Sequence, residues 1–204
     1  MSSISMKQKM KIKKKAEKGL SLIEASMVLA LSAIVVSGVM FYYQSASDSN
    51  KTQNTVSQVM SVMSAINGLY VGQASYTGLS DTVLYNSSAV PANYKGSTGV
   101  INNPFGGRLH VAPNTGATGG YALLLDGVPQ SSCVNIASMN LGTSLQGVGV
   151  KVASMNSGTA AASLTPQTLN GTARAGTIYS GTLTPANAAA LCTDTTNSIT
   201  FLMK

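Results

Sequence analysis

The first strong pattern along the chain is an apolar run over residues 20–47 whose single charge is Glu24. Residues 25–47 carry no charge at all, and a helix of that length covers about 35 Å, enough to cross a bilayer. No proline precedes Pro91, so nothing stops the helix from continuing through Asp48, Ser49 and Asn50. Beyond them Val56, Val59, Met60, Met63, Ile66 and Tyr70 recur three or four positions apart, with Asn54, Ser57, Ser61 and Ser64 between. That spacing predicts an amphipathic helix with one buried stripe. Gly68 and Gly72 mark its end. The expectation is one helix of about 50 residues, apolar all round in its first half and on one face in its second.

Past residue 72 the period shortens. Residues 108–112 and 121–125 flank a connection rich in Pro, Asn and Gly and read as paired strands. Residues 129–141 have helical spacing through Cys133, Ile136, Ala137 and Leu141, with Gly142 as the stop. Val148, Val150 and Val152 alternate with Gly149 and Lys151, which predicts a strand with one buried face. Thr184-Pro185 supplies a cap and first position for a short helix ending near Cys192, and residues 198–203 read as a final strand. Together these elements give an α+β class: a long N-terminal helix and a smaller mixed head.

Charge changes the picture in one respect. The formal +7 suggests a nucleic-acid or anionic partner, but Lys7, Lys9, Lys11, Lys13, Lys14, Lys15 and Lys18 all precede the apolar run, opposed only by Glu17. Of 13 bases and 6 acids, six bases and five acids follow Gly19, a net charge of +1. A near-neutral remainder has no retained basic face, which excludes electrostatic nucleic-acid binding, and low net charge favours self-association. A cationic flank before a span keeps that end in the cytoplasm, so the chain is expected to run N-in, C-out. Cys133 and Cys192 then lie outside the cytoplasm, where a disulfide is the natural reading and two buried free thiols the alternative.

A carboxylate inside a membrane helix costs about 2.5–3.5 kcal/mol on insertion scales, so Glu24 needs a partner or a task. An ordinary secretory signal places its small-residue cleavage site after the apolar run, whereas Gly19 lies before it. Cutting there would keep the hydrophobic helix on the product and free an amine at Leu20, four residues from Glu24.

The residues Lys18-Gly19-Leu20-Ser21-Leu22-Ile23-Glu24 resemble the processing site of type IV prepilins. With the run GLSLIEASMVLALSAIVVSGVMFYYQSASDSNK, the segments AINGLY and NPFGG, two distant cysteines and the ending TFLMK, the chain is similar to the bundle-forming pilins, which are type IVb major subunits. The resemblance implies a type IV pilin fold: a long helix packed on an antiparallel sheet head, with the last strand inside the sheet and a disulfide-closed C-terminal region. It implies a leader over 1–19, a helix over 20–72 divided into a membrane or filament-core part (20–47) and an amphipathic part (48–72), and a head over 73–204. It implies cleavage between Gly19 and Leu20 by a prepilin peptidase, N-methylation of Leu20, and polymerisation through a pilus assembly machine. The precursor would reside in the inner membrane and the product in an extracellular pilus active in adhesion and aggregation, through contacts with host cells or other pili. Glu24 would then meet either its own Leu20 amine or that of a neighbouring subunit.

Nothing in the chain points to catalysis, a cofactor or a metal. His110 is the single histidine, expected in a packed or solvated role, and Asp48, Asp81, Asp126 and Asp194 are scattered. Two other readings share part of this pattern: a minor pilin or secretion-system pseudopilin, and a single-pass anchored binding domain whose leader is never cut.

Overall fold

The structure is a computed structural model describing residues 21–156 and 158–204. The lysine-rich leader, Gly19 and Leu20 lie outside the described residues. The chain divides into two compact units, one ending at Tyr43 and one spanning Gln44–Lys204.

Helix α1 (Leu22–Leu69) is the 48-residue element the uninterrupted pattern predicts. Its part in the first unit buries none of its large apolar side chains, which range from 57% exposed at Val36 to 88% at Leu22. Within the second unit the same helix buries Thr55, Gln58, Val59, Val62, Met63 and Ile66. The stripe therefore differs in register from the one expected, since Val62 is buried while Met60 is half exposed. The reason lies in two polar members that periodicity of apolar residues cannot detect. Gln58 Nε2 donates to the Asn102 carbonyl at 2.9 Å, and Thr55 Oγ1 donates back to the Lys51 carbonyl at 2.8 Å. With donors satisfied in this way, both are tolerated inside.

The head contains α2 (Asp81–Tyr85), β1 (Ile101–Asn102), β2 (Arg108–Pro113), β3 (Tyr121–Pro129), α3 (Gln130–Ala137), β4 (Leu145–Val150), β5 (Ile178–Ser180), α4 (Pro185–Leu191) and β6 (Thr196–Met203). The six strands form one sheet of order β1-β2-β3-β6-β4-β5 in which every pairing is antiparallel. The last strand thus lies inside the sheet, hydrogen-bonded to β3 on one side and β4 on the other.

Strand alternation sorts the core into two layers. Leu109, Val111, Tyr121, Leu123, Leu125, Val148, Val150, Ile199, Phe201 and Met203 share a cluster with the α1 stripe. Ala112, Ala122, Leu124, Ile178 and Leu202 instead meet Val152, Met155, Ala162 and Leu164. Residues 152–156 and 158–164 therefore form a flap over the second face of the sheet. This corrects the expectation for the valine strand: β4 is buried on both faces, and Val152 has left it. Lys151 adopts a positive φ of 58°, which ends β4 and sends Val152 into the second cluster. A Lys151–Asp194 ion pair at 2.7 Å holds that reversal.

Helix α3 is shorter than the predicted 129–141 and closes at Ser138, whose amide still donates to the Val134 carbonyl. Gly142, at φ 74°, opens the next turn instead. Helix α4 begins as expected, with Thr184 Oγ1 accepting from Asn187 N–H and Pro185 in its first turn.

The NPFGG segment is a built turn. Buried Asn103 donates through Nδ2 to the carbonyls of Asp126 (2.6 Å) and Arg108 (3.2 Å), while its Oδ1 accepts from the Phe105 and Gly107 amides. A Cβ on Gly107 would sit 1.9 Å from the Asp126 carbonyl oxygen, at the irregularity of β3 around Asp126 and Gly127. Gly107→Ala is expected to destabilise the head by about 1–3 kcal/mol through this overlap. Urea denaturation of the full chain in detergent checks it; an unchanged midpoint would show that the two backbones do not need to touch.

Candidate functional site

The first turn of α1 carries the chemistry singled out in the sequence. Ser21 precedes the helix; its Oγ accepts from the Ile23 amide at 3.3 Å, and its own N–H donates to Glu24 Oε2 at 3.0 Å. This reciprocal arrangement is a capping box, in which a serine and a glutamate three positions later satisfy amides that no helical turn can reach. The pattern Ser-x-x-Glu was present in the sequence but is masked there by the reading of Glu24 as a lone membrane acid. The acid therefore has a local partner in the Ser21 amide, while Leu20, whose amine was the expected partner, lies outside the described residues.

Around this carboxylate every large apolar side chain from Leu22 to Tyr43 is exposed. Among the described residues this helix is the one long and apolar enough to cross a membrane. Ala25, Ser26, Ala30, Ser32, Ala33, Ser37 and Gly38 interrupt the bulky residues. Two of these serines donate to backbone carbonyls of their own helix, Ser26 to Ile23 at 2.8 Å and Ser32 to Leu29 at 3.0 Å, so neither adds an unpaired hydroxyl donor to the apolar surface. Small residues of this kind let helices approach closely in an apolar medium.

In the head, Cys133 and Cys192 form a disulfide across 59 residues, between α3 and the residue that follows α4. Both cysteines are buried. Helix α3 in turn is tied to α1 within the second unit, by Thr52 Oγ1 donating to Ser132 Oγ and Ser131 Oγ donating to Asp48.

The scattered acids each have separate partners. Asp48 receives Ser131, Asp126 accepts from the adjacent Gly127 amide, and Asp194 pairs with Lys151. Asp81 accepts from the Val111 amide at 2.8 Å and meets His110 Nδ1 at 2.5 Å, a pairing across 29 residues that no local pattern announces. Among the described residues no group of histidines, cysteines and carboxylates could hold a metal. Among the described residues, two open grooves, of about 650 Å³ beside Ser57, Met60, Ser61 and Ser64 and about 660 Å³ beside Tyr76, Leu145 and Gln146, bring no acid and base together.

The family model described as Bundlin matches residues 44–200. The major structural subunit of bundle-forming pilus of Escherichia coli O127:H6 is 52% identical over 195 residues, covering 94% of this chain and 96% of that protein. The protein of the same description from Escherichia coli O111:H- is 53% identical with the same coverage. Among solved structures, the type IV b pilin from Salmonella typhi covers 76% of this chain and 96% of its own, with a TM-score of 0.46 and 19% identity.

Proposed function

The chain belongs to the bundlin family, and from that premise we propose that it is the precursor of a major pilus subunit, cleaved after Gly19, N-methylated at Leu20 and polymerised into surface filaments. The observation that carries this reading is the part of α1 from Leu22 to Tyr43. Its apolar side chains are 57–88% exposed in the isolated chain, and its one carboxylate stands in the first turn. A surface so apolar requires lipid or other copies of itself, since contiguous exposed patches of this kind mark interaction sites.

Both environments fit successive stages. About 33 Å of helix spans the inner membrane while the lysine flank stays in the cytoplasm. Removal of that flank then exposes an amine that a neighbouring Glu24 can bind as the helix leaves lipid for a filament core. A buried, hydrogen-bonded pair of this type fixes the axial register of adjacent helices, because any one-residue slip leaves a charge unpaired. A prepilin peptidase and methyltransferase, and an assembly machine in the same membrane, are the partners this route requires. The head, outside the cytoplasm, makes the contacts between subunits, between pili and with host cells.

The deciding measurement is mass spectrometry of filaments sheared from the cell surface. The expected N-terminal peptide begins with N-methylated Leu20. Filaments that lack this polypeptide, or that contain it with the lysine leader attached, would overturn the proposal.

A further inference from the structure

His110 sits on β2 at the face of the sheet covered by the flap, and it is 6% exposed. Its Nδ1 meets the Asp81 carboxylate on α2 at 2.5 Å, and its Nε2 meets the Thr159 carbonyl on the flap at 2.9 Å. Both partners are acceptors. A neutral imidazole has one N–H, so two such contacts are made together only by the doubly protonated ring.

We propose that protonated His110 is a pH-operated clamp that fastens the flap to the sheet and to α2, and that loss of its proton releases the tip of the flap. The rest of the flap is held by other means. Ala162 N–H donates to the Pro113 carbonyl, Leu164 N–H donates to Asn114 Oδ1, and Val152 and Met155 are packed in the second cluster. The tip is a self-contained turn in which Asn156 N–H donates to Thr159 Oγ1 and Thr159 N–H donates to the Asn156 carbonyl. The Thr159 carbonyl on His110 ties that turn to the strand beneath it.

The charged groups facing the ring are few. Asp81 approaches from α2 and Arg108 acts from β2 itself; β3 presents Leu124, the residue paired with His110, and residues 153–165 contain no titratable side chain. Burial is the strongest single influence and opposes the charge, as does Arg108. The hydrogen bond and charge of Asp81, with the Thr159 carbonyl, together outweigh them and raise the ring above its ordinary value. The sign follows: the clamp contributes fully below about pH 6.5, the unfolded value, and is lost as pH rises through the higher folded value. The proton that leaves is the one on Nε2, because Nδ1–H faces a carboxylate and Nε2–H only a neutral carbonyl. The Nε2 lone pair then opposes the Thr159 oxygen, while Asp81 keeps its bond to Nδ1–H and to the Val111 amide.

The test uses the full chain in detergent micelles. Ring nitrogen NMR at pH 6 is expected to show protons on both nitrogens of His110. Amide exchange, corrected for intrinsic rates, is expected to show protection of Asn156 and residues 158–160 falling about tenfold or more between pH 6 and 8.5, as for a lost hydrogen bond from a charged donor. Residues 81–85 should keep theirs. His110→Gln should abolish the pH step. A singly protonated ring at pH 6, equal protection at both pH values, or an unchanged step in His110→Gln would each overturn the clamp.

Discussion

Glu24→Gln is expected to leave the precursor inserted and cleaved while surface filaments fall by about a hundredfold or more. Breaking a buried, hydrogen-bonded charge pair by removing one partner costs about 3–5 kcal/mol, and each 1.4 kcal/mol is about a factor of ten. The substitution is chosen for what it preserves. Glutamine also completes a capping box, so the bond from Ser21 N–H to position 24 survives and the helix start is undisturbed. Only the negative charge disappears. Ser21→Ala is the converse control: it removes the hydroxyl that accepts from Ile23 N–H, costs about 1 kcal/mol of capping and keeps the charge. A filament held by pairing between Glu24 and a neighbour's amine tolerates the second change and not the first. Normal piliation by Glu24→Gln, counted by electron microscopy and by sheared protein, would reduce Glu24 to a cap and refute the pairing.

The second large effect lies in the head. Replacing both cysteines by alanine is expected to lower its stability by about 2–5 kcal/mol, of which loop closure alone accounts for roughly 4 kcal/mol. The crosslink joins α3, tied to α1 through Ser131 and Ser132, to the end of α4. Between those two points lie β4, the flap and β5. Without it, the segment carrying half of the second core layer is anchored by packing, by β6 pairing and by the hydrogen bonds of the flap to β2 and Asn114. The full chain in detergent should show a matching drop in urea midpoint, and the native protein with reductant should approach the variant. A shift below about 1 kcal/mol would mean the cysteines lie where packing already fixes both helices.

What could be read from the sequence follows from how local each signal is. Helix α1, α4 and the β2, β3 and β6 strands carry their own periodicity or capping chemistry, and the structure places them where those signals put them. The two-residue β1, the three-residue β5 and the five-residue α2 are too short to carry a period. They exist because partners far along the chain hold them, as Asp81 does by accepting from Val111 at the open edge of β2. The flap was hidden for the same reason: Val152 looked like the next tooth of a β alternation until Lys151 turned the backbone over. At the N-terminus the sequence offered two valid meanings for Glu24, a membrane carboxylate and the last member of a capping box. The structure contains the second without removing the first.

The central position of β6 has a consequence for the order in which the head folds. Strands β1 to β3 and the β4–β5 pair are synthesised earlier, and each presents an unpaired edge until the final strand emerges between them. Cys192 also precedes β6 by only four residues. The head therefore stays unsealed until β6 pairs with both neighbours, and open edges of this kind are templates for mispairing with other chains. A subunit that assembles with its own copies is thus most vulnerable to mispairing before β6 closes the sheet.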